Sequence, residues 1–369
     1  MAGIYIHIPF CRSRCIYCGF YSTTSLDIRQ KYVDAVCLEM SHAKQEKRNG
    51  DDLTDTIYLG GGTPSQLTIP QLQQIFRAIY KYNKVAEDAE VTIEANPDDV
   101  TPQFADALRS LPVNRVSMGA QTFDDERLRW LYRRHTSQQV AQAVSRLRAA
   151  GISNISIDLM YGFPGETLPE WQRDIDSALA LNSEHLSAYC LMIEEGTPLH
   201  QMHTEPIDEE LERAMYYTLI DRLASAGYEH YEISNFAKPG LRSRHNSSYW
   251  AGTPYVGFGA AAHSFDGKTR SWNISDIRQY IEGMARGERP FEAETLDADT
   301  RYNDMITVAL RTCEGLNLAK LSLRHRDYCM KSARRFIDDG LLSVNHDSLI
   351  LTRRGLFVSD MIMAELILV

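Results

Sequence analysis

The reading of the chain turns on Ile4-Tyr5-Ile6-His7-Ile8-Pro9-Phe10-Cys11-Arg12-Ser13-Arg14-Cys15-Ile16-Tyr17-Cys18-Gly19-Phe20. The apolar run over 4–8 predicts a buried strand, and Pro9 ends it. Three cysteines follow as C-x3-C-x2-C on the loop leaving that strand, so their sulfurs can converge on one object. Structural zinc needs four closed ligands, and only three cysteines lie here. His7 is a further candidate, but it stands inside the strand, and no second CxxC or HxxxH follows. Thiolates also suit iron–sulfur clusters. A four-iron cluster on three cysteines leaves one iron open to a small molecule, which would make the site catalytic rather than structural. A zinc clip or three unrelated thiols are the alternatives.

Outward from this stretch, apolar strands alternate with helix-period segments. Strands are expected over 4–8, 54–59, 90–95, 115–119, 154–160 and 185–191. The helices expected between and after them cover 28–47 (ended by Asn49-Gly50), 69–82, a segment from Pro102, 125–131, 137–149, 168–180 and 209–226. Six βα units in a row predict a parallel sheet with helices outside it, curled into a full or partial barrel. In such barrels the chemistry gathers at the C-terminal ends of the strands, and each motif discussed here follows or ends a strand. Past residue 235 the pattern changes. The stretch 235–262 is rich in Gly, Ser and aromatics, and a helix over 275–286 ends in a turn at 287–290. Three helices, two short strands over 341–344 and 348–351 and a final helix from Thr352 then resemble a winged-helix domain. The expected division is 1–235 for the barrel, 236–290 for a connecting segment and 291–369 for the C-terminal domain.

Several residues at strand ends could bind a ligand. Gly60-Gly61-Gly62-Thr63-Pro64 allows close backbone approach, although a tight βα turn explains a triple glycine equally well. Glu94 ends the third strand, where a carboxylate could accept from hydroxyls or an ammonium, or cap a helix. Gln121, Arg133 and Asp158 stand in comparable places. Asp158 is the sharpest of them, because a buried Asp in an apolar strand is costly unless paired. His245-Asn246-Ser247-Ser248-Tyr249-Trp250 reads as a polar, aromatic loop. His42, His185, His325 and His346 lie on helices or near turns and carry no signal.

C-x3-C-x2-C after a first strand resembles the radical S-adenosylmethionine (SAM) enzymes. The flanking residues are similar to one branch of them, oxygen-independent coproporphyrinogen III oxidase and its relatives. Within that branch, Tyr5-Ile6-His7-Ile8-Pro9-Phe10-Cys11 is most similar to the haem chaperones. The likeness extends through Gly60-Gly61-Gly62-Thr63-Pro64-Ser65, Ser117-Met118-Gly119-Ala120-Gln121, Asp158-Leu159-Met160-Tyr161-Gly162 and the stretch from His245 to Trp250. It implies a partial (β/α)6 radical SAM barrel with a small C-terminal winged-helix-like α+β domain. A [4Fe-4S] cluster would sit on Cys11, Cys15 and Cys18. SAM would bind Gly61, Gly62, Thr63 and Glu94, with Tyr5 and Tyr17 as further contacts. Gln121, Arg133 and Asp158 match residues around a second SAM. H-N-x-x-Y-W implies haem at His245, with His263 in Gly257-Phe258-Gly259-Ala260-Ala261-Ala262-His263 as a second candidate, since a His can ligate haem iron.

The implied function is a haem-binding chaperone that delivers haem to respiratory haem proteins, including recipients at the membrane surface. A cellular electron donor such as flavodoxin would serve the cluster. The alternative is the oxidase itself, converting coproporphyrinogen III to protoporphyrinogen IX. Two departures from the oxidase pattern favour the chaperone: Phe20 stands where the oxidase has a fourth cysteine, and only ten residues precede Cys11.

Composition narrows the classes. With 369 residues there is room for one large α/β domain and a small one. The seven cysteines are odd in number and unevenly placed; Cys37, Cys190, Cys313 and Cys329 are scattered, which argues against a disulfide framework and for a reduced cytoplasm. A net charge of -10 argues against nucleic-acid binding, even for a winged helix. The basic runs over 127–134 and 324–335 alternate with apolar residues, as helix faces do. No apolar run approaches the roughly 20 residues of a membrane span, and no secretory signal opens the chain.

Overall fold

The computed structural model describes residues 2–46 and 53–368. The helix end expected at Asn49-Gly50 lies outside the described residues.

In β1 (Ala2–Ile8), Ile4, Ile6 and Ile8 are buried to 2% exposure or less on one face, while Tyr5 and His7 turn to the other. Parallel pairing then runs in chain order through β2 (Thr54–Gly61), β3 (Val85–Ala95), β4 (Arg115–Gln121), β5 (Asn154–Tyr161) and β6 (His185–Cys190). Helices cross over between successive strands, among them Arg29–Gln45, Ile69–Tyr82, Ser137–Ala149 and Leu168–Ala180. Those starting at Ile69, Ser137 and Leu168 open with reciprocal capping boxes, from Thr68 with Gln71, Thr136 with Gln139 and Thr167 with Glu170. The result is α/β, a partial barrel as expected.

The sheet does not stop at β6. After the helix Glu209–Ser225 come β7 (Glu229–Glu232) and β8 (Asn235–Ala237), and β8 pairs antiparallel with β6. β9 (Tyr255–Phe258), β10 (His263–Phe265), β11 (Thr269–Asn273) and β12 (Phe291–Thr295) extend the opposite side, with β9 parallel to β1. The twelve-stranded order is β12-β11-β10-β9-β1-β2-β3-β4-β5-β6-β8-β7. Residues 236–290, expected to connect, therefore carry strands of the main sheet. Without β9, the backbone of β1 would present an unpaired edge. Glu39 fastens this extension: fully buried, it accepts from Gly259 N–H, Asn273 Nδ2 and Tyr280 Oη and pairs with Arg289 at 3.2 Å.

The C-terminal unit has its own apolar core, including Tyr302, Ile306, Phe336, Leu349 and Ile362. It holds helices Ala298–Ala309 and Leu323–Asp338 and a small antiparallel sheet of β13 (Leu316–Asn317), β14 (Leu342–Asn345) and β15 (Ser348–Leu351), ordered β13-β15-β14. The final helix expected from Thr352 is two helices, Arg353–Phe357 and Ser359–Leu366, broken at Val358.

Candidate functional site

The cysteine loop is held from both sides. Cys11 N–H donates to Thr23 O at 2.9 Å, and Thr23 N–H donates back to Pro9 O. Ile16, buried between Cys15 and Cys18, packs with Leu131, Met160, Phe163, Leu191 and Leu199 in a small separate core. This anchor turns the thiols of Cys11, Cys15 and Cys18 toward a cavity of about 690 Å³ at the C-terminal ends of the strands. None of the three forms a disulfide. Among the described residues no three His, Cys, Asp or Glu side chains close on a single ion. The set is three thiols of one loop facing an open cavity, without a fourth protein ligand, and it fits a thiolate-held cluster with one open corner. Burial pushes the Cys11 and Cys18 thiols up, so their ionised forms need a cationic partner in the site. His7 is no such ligand: Nδ1 meets Tyr5 Oη and Nε2 meets Tyr21 O, both at 3.0 Å.

The parallel register carries the other expected residues to the same cavity. Gly61 lies opposite Ile8, Glu94 opposite Ser117, and Asp158 opposite both Gly119 and Ser187. Tyr17, Gly61, Gly62, Thr63, Glu94, Gln121, Arg133 and Asp158 all line it with the three cysteines. Glu94 accepts from Tyr58 Oη at 2.8 Å and from Gly61 N–H at 3.2 Å; burial pushes its carboxyl up to about 7. Asp158 accepts from Ser117 Oγ at 3.4 Å, and burial pushes it up to about 6 against the pull of Arg115. The Arg133 guanidinium donates to Asn96 Oδ1 at 2.8 Å and Gly119 O at 2.5 Å and reaches Cys15 Sγ at 3.6 Å. It thus joins the cluster loop to the β3 and β4 ends. Gln121 has φ +68°, a left-handed backbone that turns its side chain over Gly119.

Gly61 has a reason beyond ligand space. Its φ is +111°, and a Cβ there would stand 2.6 Å from the His7 ring. A bulky residue at Gly61 therefore disturbs β1 before it meets any ligand. Tyr5, expected among the SAM contacts, does not line the cavity; it stacks on Tyr58 at 6.2 Å behind the wall.

Sequence reasoning missed Arg115. It is 1% exposed, lines the cavity floor and makes no side-chain hydrogen bond or ion pair among the described residues. Its signal was a lone Arg at the start of an apolar strand. His185 also carries a structural role that sequence did not suggest, bonded to Ser156 Oγ at 2.8 Å and Tyr231 Oη at 2.7 Å.

The stretch from His245 to Trp250 is a helix, Arg244–Trp250, not a loop. Ser243 Oγ accepts from Asn246 N–H, and Glu90 accepts from the N–H groups of Arg244 and His245, both at 3.0 Å. A side-chain cap and a carboxylate at the N-terminus are what a short helix needs. Both ring nitrogens of His245 are engaged, Nδ1 with Thr56 Oγ1 and Nε2 with Tyr249 Oη at 2.8 Å each, and the side chain is 1% exposed. Its ring stacks on Tyr58 at 5.0 Å. The helix is a partition: Asn246 faces the first cavity, whereas Ser247, Tyr249 and Trp250 line a second cavity of about 1040 Å³ against the C-terminal unit. His263 is exposed and lines that second cavity.

Residues 5–178 match the Radical SAM superfamily and residues 296–358 the HemN C-terminal domain. The chain is 34% identical to the haem chaperone HemW of Bacillus subtilis, over 96% of each chain. It is 35% identical to that of Mycobacterium tuberculosis H37Rv, over 99% of this chain and 94% of the relative. The solved coproporphyrinogen III oxidase (HemN) of Escherichia coli shares the fold with a TM-score of 0.86, at 22% identity over 99% of this chain and 89% of that one. The chain belongs to the radical SAM superfamily and, within it, to the HemW family.

Proposed function

We propose that this chain is a haem-binding chaperone with a SAM-bound [4Fe-4S] cluster, handing haem to haem-requiring respiratory proteins. The observation that carries the reading is the end-to-end likeness to relatives named haem chaperone HemW. Phe20, 70% exposed beside the cluster loop, supports it over the oxidase, whose pattern has a cysteine there. Cys11, Cys15 and Cys18 hold the cluster. When bound, a four-iron cluster on three thiolates supplies an open iron and one electron for reductive cleavage of the SAM sulfonium.

The protein's own groups bind and orient. Gly61, Gly62 and Thr63 offer backbone close to the thiols, and Glu94 accepts from a hydroxyl or ammonium of SAM. Tyr17 closes the cavity beside the loop, and Arg133 holds Cys15 Sγ against β4. Gln121 and Asp158 stand farther along the strand ends, in reach of a second ligand. Tyr5 supports Tyr58 from behind. His245 orders the helix that carries Tyr249 and Trp250. Among the described residues no helix is long and apolar enough to cross a membrane. A cytoplasmic carrier that meets recipients at the membrane surface, with a flavodoxin-like electron donor, accords with this reading.

The test is anaerobic reconstitution with iron and sulfide, followed by haemin binding and coproporphyrinogen decarboxylation side by side. Expected are a brown cluster chromophore lost in any one Cys→Ala variant of the three, haem binding, and no decarboxylation. Decarboxylation without haem binding would replace this reading with the oxidase.

A further inference from the structure

Of residues 11–20 only Ile16 is buried, so the placement of the cysteine loop is decided there. Ile16 stands between Cys15 and Cys18, and its backbone is held at both ends. Its N–H donates to Leu131 O at 3.4 Å, and its carbonyl accepts from Leu199 N–H at 2.9 Å. Its side chain lies in the small core with Leu131 and Phe163, each exposed to 1% or less. Leu131 follows the helix Asp125–Trp130, and Phe163 belongs to the turn that leaves β5. Where these two residues stand therefore fixes where the loop stands.

One buried ion pair joins the two elements. The Glu166 side chain is fully buried, and Arg127 Nη1 pairs with its carboxylate at 3.2 Å. The same carboxylate accepts from Gly162 N–H at 2.7 Å and from Phe163 N–H at 3.1 Å. Glu166 N–H donates to Phe163 O at 2.9 Å and closes the turn, in which Gly162 takes φ +81°. Arg127 lies on the helix before Leu131, and its carbonyl accepts from Leu131 N–H at 2.9 Å. Its guanidinium carbon is 5.7 Å from the Phe163 ring centroid, and its second Nη pairs with Glu170 at 2.9 Å. Glu166 thus holds Phe163 through the backbone and Arg127 through charge, while Arg127 holds Leu131.

A buried ion pair is a weak source of stability, because desolvation of both charges offsets their attraction; its best-attested use is to fix one arrangement of packed parts. Apolar burial is non-directional, so the small core covers Ile16 without setting its angle. The ion pair and its hydrogen bonds are directional. Glu166, Arg127, Phe163 and Ile16 do not line the first cavity, so they act on it from behind.

We propose that Glu166 and Arg127 are positioning residues for the cluster: their ion pair sets Phe163 and Leu131 against Ile16, and thereby the placement of the Cys15 and Cys18 thiols. The proposal rests on the cluster reading above and deepens it. Three thiolates must meet three corners of one rigid body, so the groups that orient them matter nearly as much as the sulfurs.

Variants reconstituted anaerobically with iron and sulfide, beside the wild-type chain, test this. Two readouts report the thiols rather than the fold: the electron paramagnetic resonance spectrum of the dithionite-reduced protein and the rate of iron release to EDTA. Glu166→Gln keeps the size and one acceptor oxygen but cannot form an ion pair with Arg127. It is expected to shift or broaden the spectrum and to release iron about tenfold faster, the scale of outer-shell effects on a metal site. Phe163→Leu keeps every charge and is expected to change both readouts in the same sense, which decides the matter if the Gln variant does not fold. A lowered thermal midpoint with wild-type spectrum and iron release in both variants would make the pair structural only and overturn the proposal. If the wild-type chain took up no four-iron cluster, the cluster reading itself would fall.

Discussion

Glu94 shows how one side chain can tie two strands together and still line a cavity. It ties β2 to β3 through Tyr58 and Gly61, yet its carboxyl is held up to about 7 by burial. A bound cation or donor therefore gains from its ionisation only by offsetting that burial. Glu94→Gln keeps the size and the bond from Tyr58 but removes the charge. It should weaken SAM binding about tenfold, on the scale of one charged hydrogen bond, with the cluster absorption unchanged; calorimetric titration of the reconstituted protein decides. Unaltered SAM affinity would remove Glu94 from the site. Arg115 poses the converse case, a buried guanidinium without a hydrogen bond among the described residues whose charge pulls down the carboxyls of Glu94 and Asp158. Removing one member of a buried set of opposite charges leaves the others uncompensated, at a cost of up to roughly 3–5 kcal/mol. Arg115→Met should therefore lower the thermal midpoint of the ligand-free protein, and an unchanged or higher midpoint would show that the two carboxyls do not depend on it.

At the scale of elements, the helix Arg244–Trp250 depends on a residue far from it in sequence. Glu90, on β3, satisfies the N–H groups of Arg244 and His245 and is itself 5% exposed. Glu90→Ala leaves both donors without their acceptor, that of His245 buried, which should cost about 1–3 kcal/mol in urea unfolding. Because the helix is the partition between the cavities, SAM affinity should also fall in this variant. A stability change below about 0.5 kcal/mol, ordinary for a surface site, would refute the assignment. The sequence contained a partial sign of this helix: Ser243 stands three residues before Asn246, the spacing of an N-cap. Two serines and two aromatics masked it, and the decisive acceptor came from another strand.

Across the whole molecule, four histidines are buried as neutral rings. Burial lowers His7 to about 4, His135 and His245 to about 3, and His185 well below its usual value. The unfolded chain protonates these rings near pH 6.5, while the folded chain refuses the protons. Stability should therefore fall as pH drops below that value. Glu94, Glu166 and Asp158 act in the opposite sense, since their folded pKa values of about 7, about 7 and about 6 exceed the unfolded ones. Folding is favoured by their protons down to about pH 4, where the unfolded carboxylates also protonate. The expected profile for ligand-free protein is a gentle loss from pH 6.5 to about 4.5 and a steep one below. Urea midpoints across that range check it; stability that held level down to pH 4 would contradict the buried neutral rings.

The local pattern determined the parallel core, the cysteine loop and most of the first cavity. Isoleucine alternation, turn glycines and strand-end carboxylates are short-range signals, and chain order alone places successive strand ends together in a parallel sheet. Cys11, Cys15, Cys18, Gly61, Glu94, Gln121, Arg133 and Asp158 were legible for that reason. The flanks of the sheet were not. β9 is four residues long and pairs with β1 across some 250 residues of chain, and strands so short carry little periodicity of their own. Nor could sequence separate His245 from His263. Only the fold shows that both nitrogens of His245 are engaged, through Thr56 and Tyr249, and that His263 stands at the second cavity. Whether a ring nitrogen is available depends on partners brought in by tertiary packing, and those partners lie far away in sequence.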